Sequence, residues 1–262
     1  MNIGLQLFSV RNELEKDPLE TLKKVAEIGY TYVELPIDWL HRRPASEWKR
    51  MLRESGLTLW SVHLRLTRDM DQEEVKDYME ELGCSRLVHP IEFFETKEDV
   101  TRFIQQMNCW TDVLSELKLY YHNHFHEFQV MDGERILDRL LEETSWKLEL
   151  DTYWAARGGS WPMDALQRYG NKVEMLHQKD MPHIEPVNIF EEIGEEAAIS
   201  METLAAYGKA GNFTEIGQGT MDIPGILQAA DADIVFVEQD ATVKEELESV
   251  DISYQAIKRM LP

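Results

Sequence analysis

The chain has 262 residues, 43% hydrophobic and 29% charged, with 27 basic against 49 acidic side chains and a net charge of −22. That composition belongs to a folded globular protein, and no run reaches the roughly 20 apolar residues of a membrane span. So strong a negative charge repels a phosphate backbone and argues against nucleic acid as partner. Two cysteines, Cys84 and Cys109, make no disulfide framework, and the chain opens as a strand rather than a basic leader, so a cytoplasmic protein is expected.

Short apolar runs alternate with amphipathic stretches along the whole chain. Ile3–Phe8 reads as a strand. Asp17 then caps a helix with Pro18 in its first turn, ending at Ile28 before Gly29. A strand is predicted at Tyr32–Leu35, a helix at Pro44–Ser55, a strand at Thr58–His63 and a helix at Asp71–Leu82. Arg86–His89 is the fourth strand, followed by a long helix over Lys97–Leu117.

The fifth strand starts at Lys118 and ends in three histidines at alternate positions, His122, His124 and His126, with Glu127 next. A turn at Asp132-Gly133 leads to a helix over Arg135–Glu143. Trp146–Asp151 is the sixth strand, with Met163–Tyr169 as its helix, and Val173–His177 is the seventh. Met181–Gly194 reads as a loop, Glu195–Ala210 as a helix and Phe213–Ile216 as a short extra strand. A Gly217-Gln-Gly219 turn precedes a helix over Ile223–Ala230, the eighth strand Ile234–Glu238 and a final helix over Val243–Met260. Eight strand–helix units without a linker predict one α/β domain over residues 1–262, a (β/α)8 barrel. An open doubly wound sheet fits less well, because no Gly-rich phosphate turn follows the first strand.

Barrel chemistry sits at the C-terminal ends of the strands. Glu34, His63, His89, His122 with His124, Asp151, His177 and Glu238 fall there. Imidazoles crowded at a buried strand end need a ligand, a metal or a carboxylate partner. Two imidazoles and two carboxylates from different strands make a mixed nitrogen and oxygen site suited to Mn²⁺, Co²⁺, Zn²⁺ or Fe²⁺. Such an ion, chelated by neighbouring carbonyl and hydroxyl oxygens, stabilises the enediolate left when an α-proton is removed. Glu127, Glu215, Glu34 and His63 are then candidates for the acid and base. His89 reads as a packed histidine. Trp154 is a candidate for stacking on a sugar ring, and Lys179, two residues from His177, for binding a substrate oxygen or phosphate. The two glycines after Arg157 predict a mobile segment beyond Trp154.

Six motifs carry a resemblance over essentially the whole chain. They are Gly29-Tyr-Thr-Tyr-Val-Glu-Leu35, Tyr121-His-Asn-His124 with Glu127-Phe128, Leu150-Asp-Thr-Tyr-Trp154, His177-Gln-Lys-Asp180, Glu215-Ile-Gly-Gln-Gly219 and Val237-Glu-Gln-Asp240. In this order they resemble the sugar phosphate isomerase/epimerase family of xylose isomerase-like TIM barrels, whose relatives include endonuclease IV and inosose dehydratases. The resemblance implies a divalent metal (Mn²⁺, Zn²⁺, Co²⁺, Fe²⁺ or Mg²⁺) on Asp151, His177 and Glu238. His122 takes the fifth-strand position, with His124 or Glu127 as alternatives. The family's Glu-Asn-His reads His122-Asn123-His124 here.

The implied activity is isomerisation or epimerisation of a sugar or keto-sugar, with Glu127, Glu238, Glu215 and His63 as catalytic groups. Glu34, His124, Trp154 and Lys179 would bind substrate. Because the fifth-strand Glu doubles as a base in the family's ketose epimerases, its absence counts against simple ketose 3-epimerisation and shifts weight toward the isomerase, dehydratase or 3-keto-sugar relatives, the alternative being a dehydratase or lyase on a keto-inositol or 3-keto-glycoside. An endonuclease IV-like enzyme and an inactive sugar-binding barrel stand behind these, and a homodimer or homotetramer is the expected assembly.

Overall fold

The computed structural model describes residues 1–261. Eight parallel strands close into a barrel: β1 Asn2–Gln6, β2 Tyr32–Ile37, β3 Thr58–Leu64, β4 Arg86–His89, β5 Lys118–His122, β6 Lys147–Asp151, β7 Val173–Gln178 and β8 Ile234–Val237. Each pairs with its neighbours in sequence, and β8 closes on β1 through Asn2 opposite Ile234 and Leu5 opposite Val237. This is the (β/α)8 barrel that the alternation of elements predicts.

Local chemistry explains the boundaries. Asp17 accepts from the Glu20 amide and Pro18 occupies the first turn, so the helix Pro18–Ile28 starts where the sequence places it. Gly56 and Gly83 end their helices at φ of +77° and +74°, a region in which a Cβ is strained. Inward-facing Val88, Tyr120, Met175, Ile234 and Phe236 fill the barrel. Gly4 is required beside them, because a Cβ there would lie 2.5 Å from the Phe236 ring. The larger apolar layer, including Val33, Leu87, Tyr121, Leu148 and Leu176, lies between strands and helices.

A third apolar cluster caps one side of the barrel's C-terminal end. Phe125, Tyr153, Trp154, Met181, Ile189, Phe190, Ile199 and Phe213 meet there. It corrects three expectations. The segment after Trp154 is a buried helix, Thr152–Arg157, because Trp154 and its neighbours anchor it in the cap. Phe213–Ile216 forms an isolated bridge, Thr214 with Asp180, since Phe213 is drawn into the cap instead of a ladder. The helix expected over 195–210 is confined to Met201–Tyr207, and a short helical turn follows at Ala210–Asn212. Among the described residues no helix is long and apolar enough to cross a membrane.

Candidate metal centre and active site

Alternation along β5, β6, β7 and β8 aims every second side chain into the barrel. His122, Asp151 and His177 are inward residues at the ends of three strands, and Glu238 follows the fourth. Their donor atoms all lie within 4.8 Å of one another, and all four residues are buried. Register explains the convergence, because Asp151 sits opposite His177 in the β6–β7 pair. Asn123 pins β5 to β6 by accepting from the Asp151 amide at 3.0 Å and donating to the Asp151 carbonyl at 3.1 Å.

Asp151 divides its two oxygens between two tasks. Oδ1 accepts from the Trp154 amide at 2.7 Å and caps the helix Thr152–Arg157. Oδ2 faces His122 Nε2 at 3.9 Å. Capping and membership of the cluster are therefore compatible.

Beneath the four lies a floor of carboxylates and imidazoles. Glu34 Oε1 accepts from Gln6 at 2.8 Å and contacts His177 Nε2 at 2.7 Å and His63 Nε2 at 2.9 Å, while Ser61 donates to its other oxygen at 2.5 Å. Glu149 Oε2 lies 2.6 Å from His63 Nε2, 3.1 Å from His122 Nδ1 and 3.2 Å from His177 Nε2. Nδ1 of His122 and Nε2 of His177 thus meet carboxylates behind the cluster. With protons on those nitrogens, the opposite lone pairs face Asp151 and Glu238, which is how carboxylates orient metal-binding histidines. The donor set fits a divalent ion on this ground.

Electrostatics distinguish the imidazoles of the site. Burial, reinforced by His177, His124 and His63, holds His122 well below the ordinary imidazole value, so it stays neutral with a lone pair free. Burial lowers His63 too, but Glu34 and Glu149 outweigh it and raise the ring to about 9. Burial lowers His177 as well, but Glu149, Glu238 and Glu34 together override it and hold its pKa raised. At the mouth, burial aided by Glu238 and Asp151 lifts Asp240 to about 7 against the pull of Lys179.

Several sequence-predicted residues stand elsewhere than expected. Glu127 does not face the cluster. Its oxygens accept from the Tyr121 hydroxyl at 2.6 Å and the His124 amide at 2.8 Å, because Tyr121 points outward from β5 and draws the carboxylate behind the barrel wall. Glu215 is also drawn away, bound by Thr242 at 3.0 Å, Lys244 at 2.8 Å and Ser249 at 2.9 Å. His63 and Glu34 lie in the floor: Glu34 contacts His177 Nε2, and His63 is held between Glu34 and Glu149.

Trp154 is 1% exposed and packed in the cap, so it offers no open face for stacking. Half-buried His124 does stand at the cluster's edge, its ring 5.1 Å from that of His122 and 5.6 Å from Trp154, with Nδ1 unpartnered among the described residues. Lys179 is buried, its ammonium against Asp151 Oδ2 and Glu238 Oε2. His89 is packed behind the wall, as its sequence context predicts.

Glu149 and Asp240 were missed by the sequence reading. Lys147-Leu-Glu-Leu-Asp151 carried the signal for Glu149: two acids at alternate positions of a buried strand must share a face. Asp240 stood in plain view two residues beyond Glu238.

Comparison with known proteins places this architecture. The chain is 24% identical to the inosose dehydratase of Geobacillus kaustophilus over 92% of its length and 87% of that protein's. A sugar phosphate isomerase/epimerase from Parabacteroides distasonis superposes with a TM-score of 0.74 at 22% identity, covering 98% of both chains. An IolI protein structure with a bound zinc atom superposes at 0.71 and 14% identity over 100% of this chain and 98% of its own. Residues 22–248 match the model of one family, and the chain belongs to the xylose isomerase-like TIM barrels.

Proposed function

We propose that the protein is a divalent-metal-dependent enzyme that removes the proton beside the carbonyl of a sugar or keto-sugar and completes the reaction by β-elimination. The observation that carries this reading is the buried donor set of His122, Asp151, His177 and Glu238 from four strands. A divalent ion held there polarises a carbonyl oxygen and lowers the energy of the negative charge that develops when the neighbouring C–H is broken. Two imidazoles and two carboxylates suit Mn²⁺, Zn²⁺, Co²⁺ or Fe²⁺.

The walls of the site hold unlike proton carriers. Glu238 and Asp240 supply carboxylates on the β8 side, and His124 an imidazole on the β5 side. Removing an α-proton and handing a proton to a departing β-oxygen uses two different groups: the C–H electrons form the C=C bond as the C–O bond breaks and water leaves. Epimerisation uses matched bases on opposite faces of one carbon. Here His122 replaces the fifth-strand Glu, while Glu127 and Glu215 are held elsewhere. The full-length likeness to an inosose dehydratase supports the same choice. A net charge of −22 favours a small neutral substrate over nucleic acid.

The test is incubation of the Mn²⁺-loaded protein with keto-inositols, 3-keto-glycosides and simple ketoses in deuterated water. The expected result is an enone absorption with loss of water or of the glycosidic leaving group, abolished by chelation and restored by Mn²⁺. Deuterium incorporated at a retained C–H with no elimination would make the enzyme an isomerase or epimerase. Failure to bind any divalent ion would leave only sugar binding.

A further inference from the structure

Lys179 is buried directly against the acidic half of the candidate metal centre. Its ammonium lies 2.5 Å from Asp151 Oδ2, closer still to Glu238 Oε2, and 3.6 Å from Asp240 Oδ1, and the residue has no exposed surface. Those first two oxygens belong to the carboxylates that complete the four-residue donor set. Without a cation between them, Asp151 and Glu238 place two carboxylates side by side in a space of low polarity, with Asp240 at its edge. Unpaired buried charges of like sign are costly.

Lys179 is placed by register. It follows His177 at a two-residue interval and leaves β7 where β6 and β8 deliver the two acids. Ammonium and divalent ion are like charges, and both are attracted to the same two oxygens.

We infer that Lys179 is a built-in counter-cation: it holds the ligand carboxylates together in the metal-free protein and weakens divalent binding by competing for them. It is a positioning residue for the metal centre, and the inference rests on the proposed reading of that centre. A lysine that merely packed the core would stabilise metal-free and metal-loaded protein alike. A counter-cation stabilises the metal-free form selectively.

The experiment compares wild type, Lys179→Met and Lys179→Arg by calorimetric Mn²⁺ titration and by melting with and without Mn²⁺. Lys179→Met is expected to lower the melting midpoint of the metal-free protein by about 10 °C. It should bind Mn²⁺ at least about tenfold more tightly than wild type and recover most of the lost midpoint when loaded. Lys179→Arg, which keeps the charge, should stay near wild type in both measurements. If Lys179→Met does not fold alone, refolding in Mn²⁺ should rescue it, since the ion supplies the missing charge. Equal destabilisation with and without metal, unchanged or weaker Mn²⁺ affinity, or failure of Mn²⁺ to rescue folding would overturn the inference. Absence of Mn²⁺ binding by wild type itself would instead overturn the proposed metal centre.

Discussion

Glu149 Oε2 lies 3.1 Å from His122 Nδ1, and this contact turns the opposite nitrogen of the imidazole toward Asp151. Without the carboxylate, His122 is free to protonate the other nitrogen or to rotate. Glu149→Ala is therefore expected to weaken divalent binding about 10- to 100-fold, the usual effect of removing such a partner. Calorimetric titration of Mn²⁺ into the metal-free variant measures it. An affinity within about twofold of wild type would show that Glu149 does not orient His122.

Glu127 holds the loop after β5 through the Tyr121 hydroxyl and the His124 amide. Glu127→Gln keeps one acceptor oxygen and loses the other, so one buried donor is left unpaired. The expected cost is about 1–3 kcal/mol of stability in urea denaturation. Turnover by the folded variant should stay within about threefold of wild type. A loss of a hundredfold or more with stability intact would restore Glu127 to the catalytic groups.

His89 gives the protein a predictable response to acid. Its Nδ1 accepts from the Leu66 amide at 3.2 Å and its Nε2 donates to the Ile91 carbonyl at 2.9 Å, so the neutral ring satisfies both neighbours. Burial lowers its pKa from the ordinary 6.5, and nearby Glu92 offsets this only in part. Below about pH 6.5 the unfolded chain takes up a proton that the folded protein refuses. Stability from this group is present above pH 6.5 and is lost as pH falls, by up to about 1.4 kcal/mol per pH unit until the folded value is reached. His89→Gln should accordingly carry its largest penalty at pH 8 and a smaller one at pH 5. A penalty independent of pH in paired denaturation curves would contradict this.

Much of the architecture was legible because it is local. The 3.6-residue and two-residue periods, the Asp17-Pro18 helix start and the helix-ending glycines Gly29, Gly56 and Gly83 are read from neighbours a few positions apart. They yield eight strands in order, the ends of the sixth, seventh and eighth correct within a residue, and the residues His122, Asp151, His177 and Glu238 at the ends of the last four. The expected extra strand at Phe213–Ile216 failed because its apolar residues were claimed by the cap, a packing decision made outside the segment.

What a side chain does at the end of its strand was decided elsewhere. Glu127 and Glu215 have the composition of catalytic acids, yet each turned toward donors that only folding brought near. Glu34 meets His177 across 143 residues of sequence, and Lys179 meets Asp151 across 28. The sequence by itself determined which residues arrive at the C-terminal end of the barrel, because alternation along a strand is a property of the backbone. Only the tertiary structure decided which of them face one another, because strand register and the lowest-energy pairing of buried charges are properties of the closed barrel.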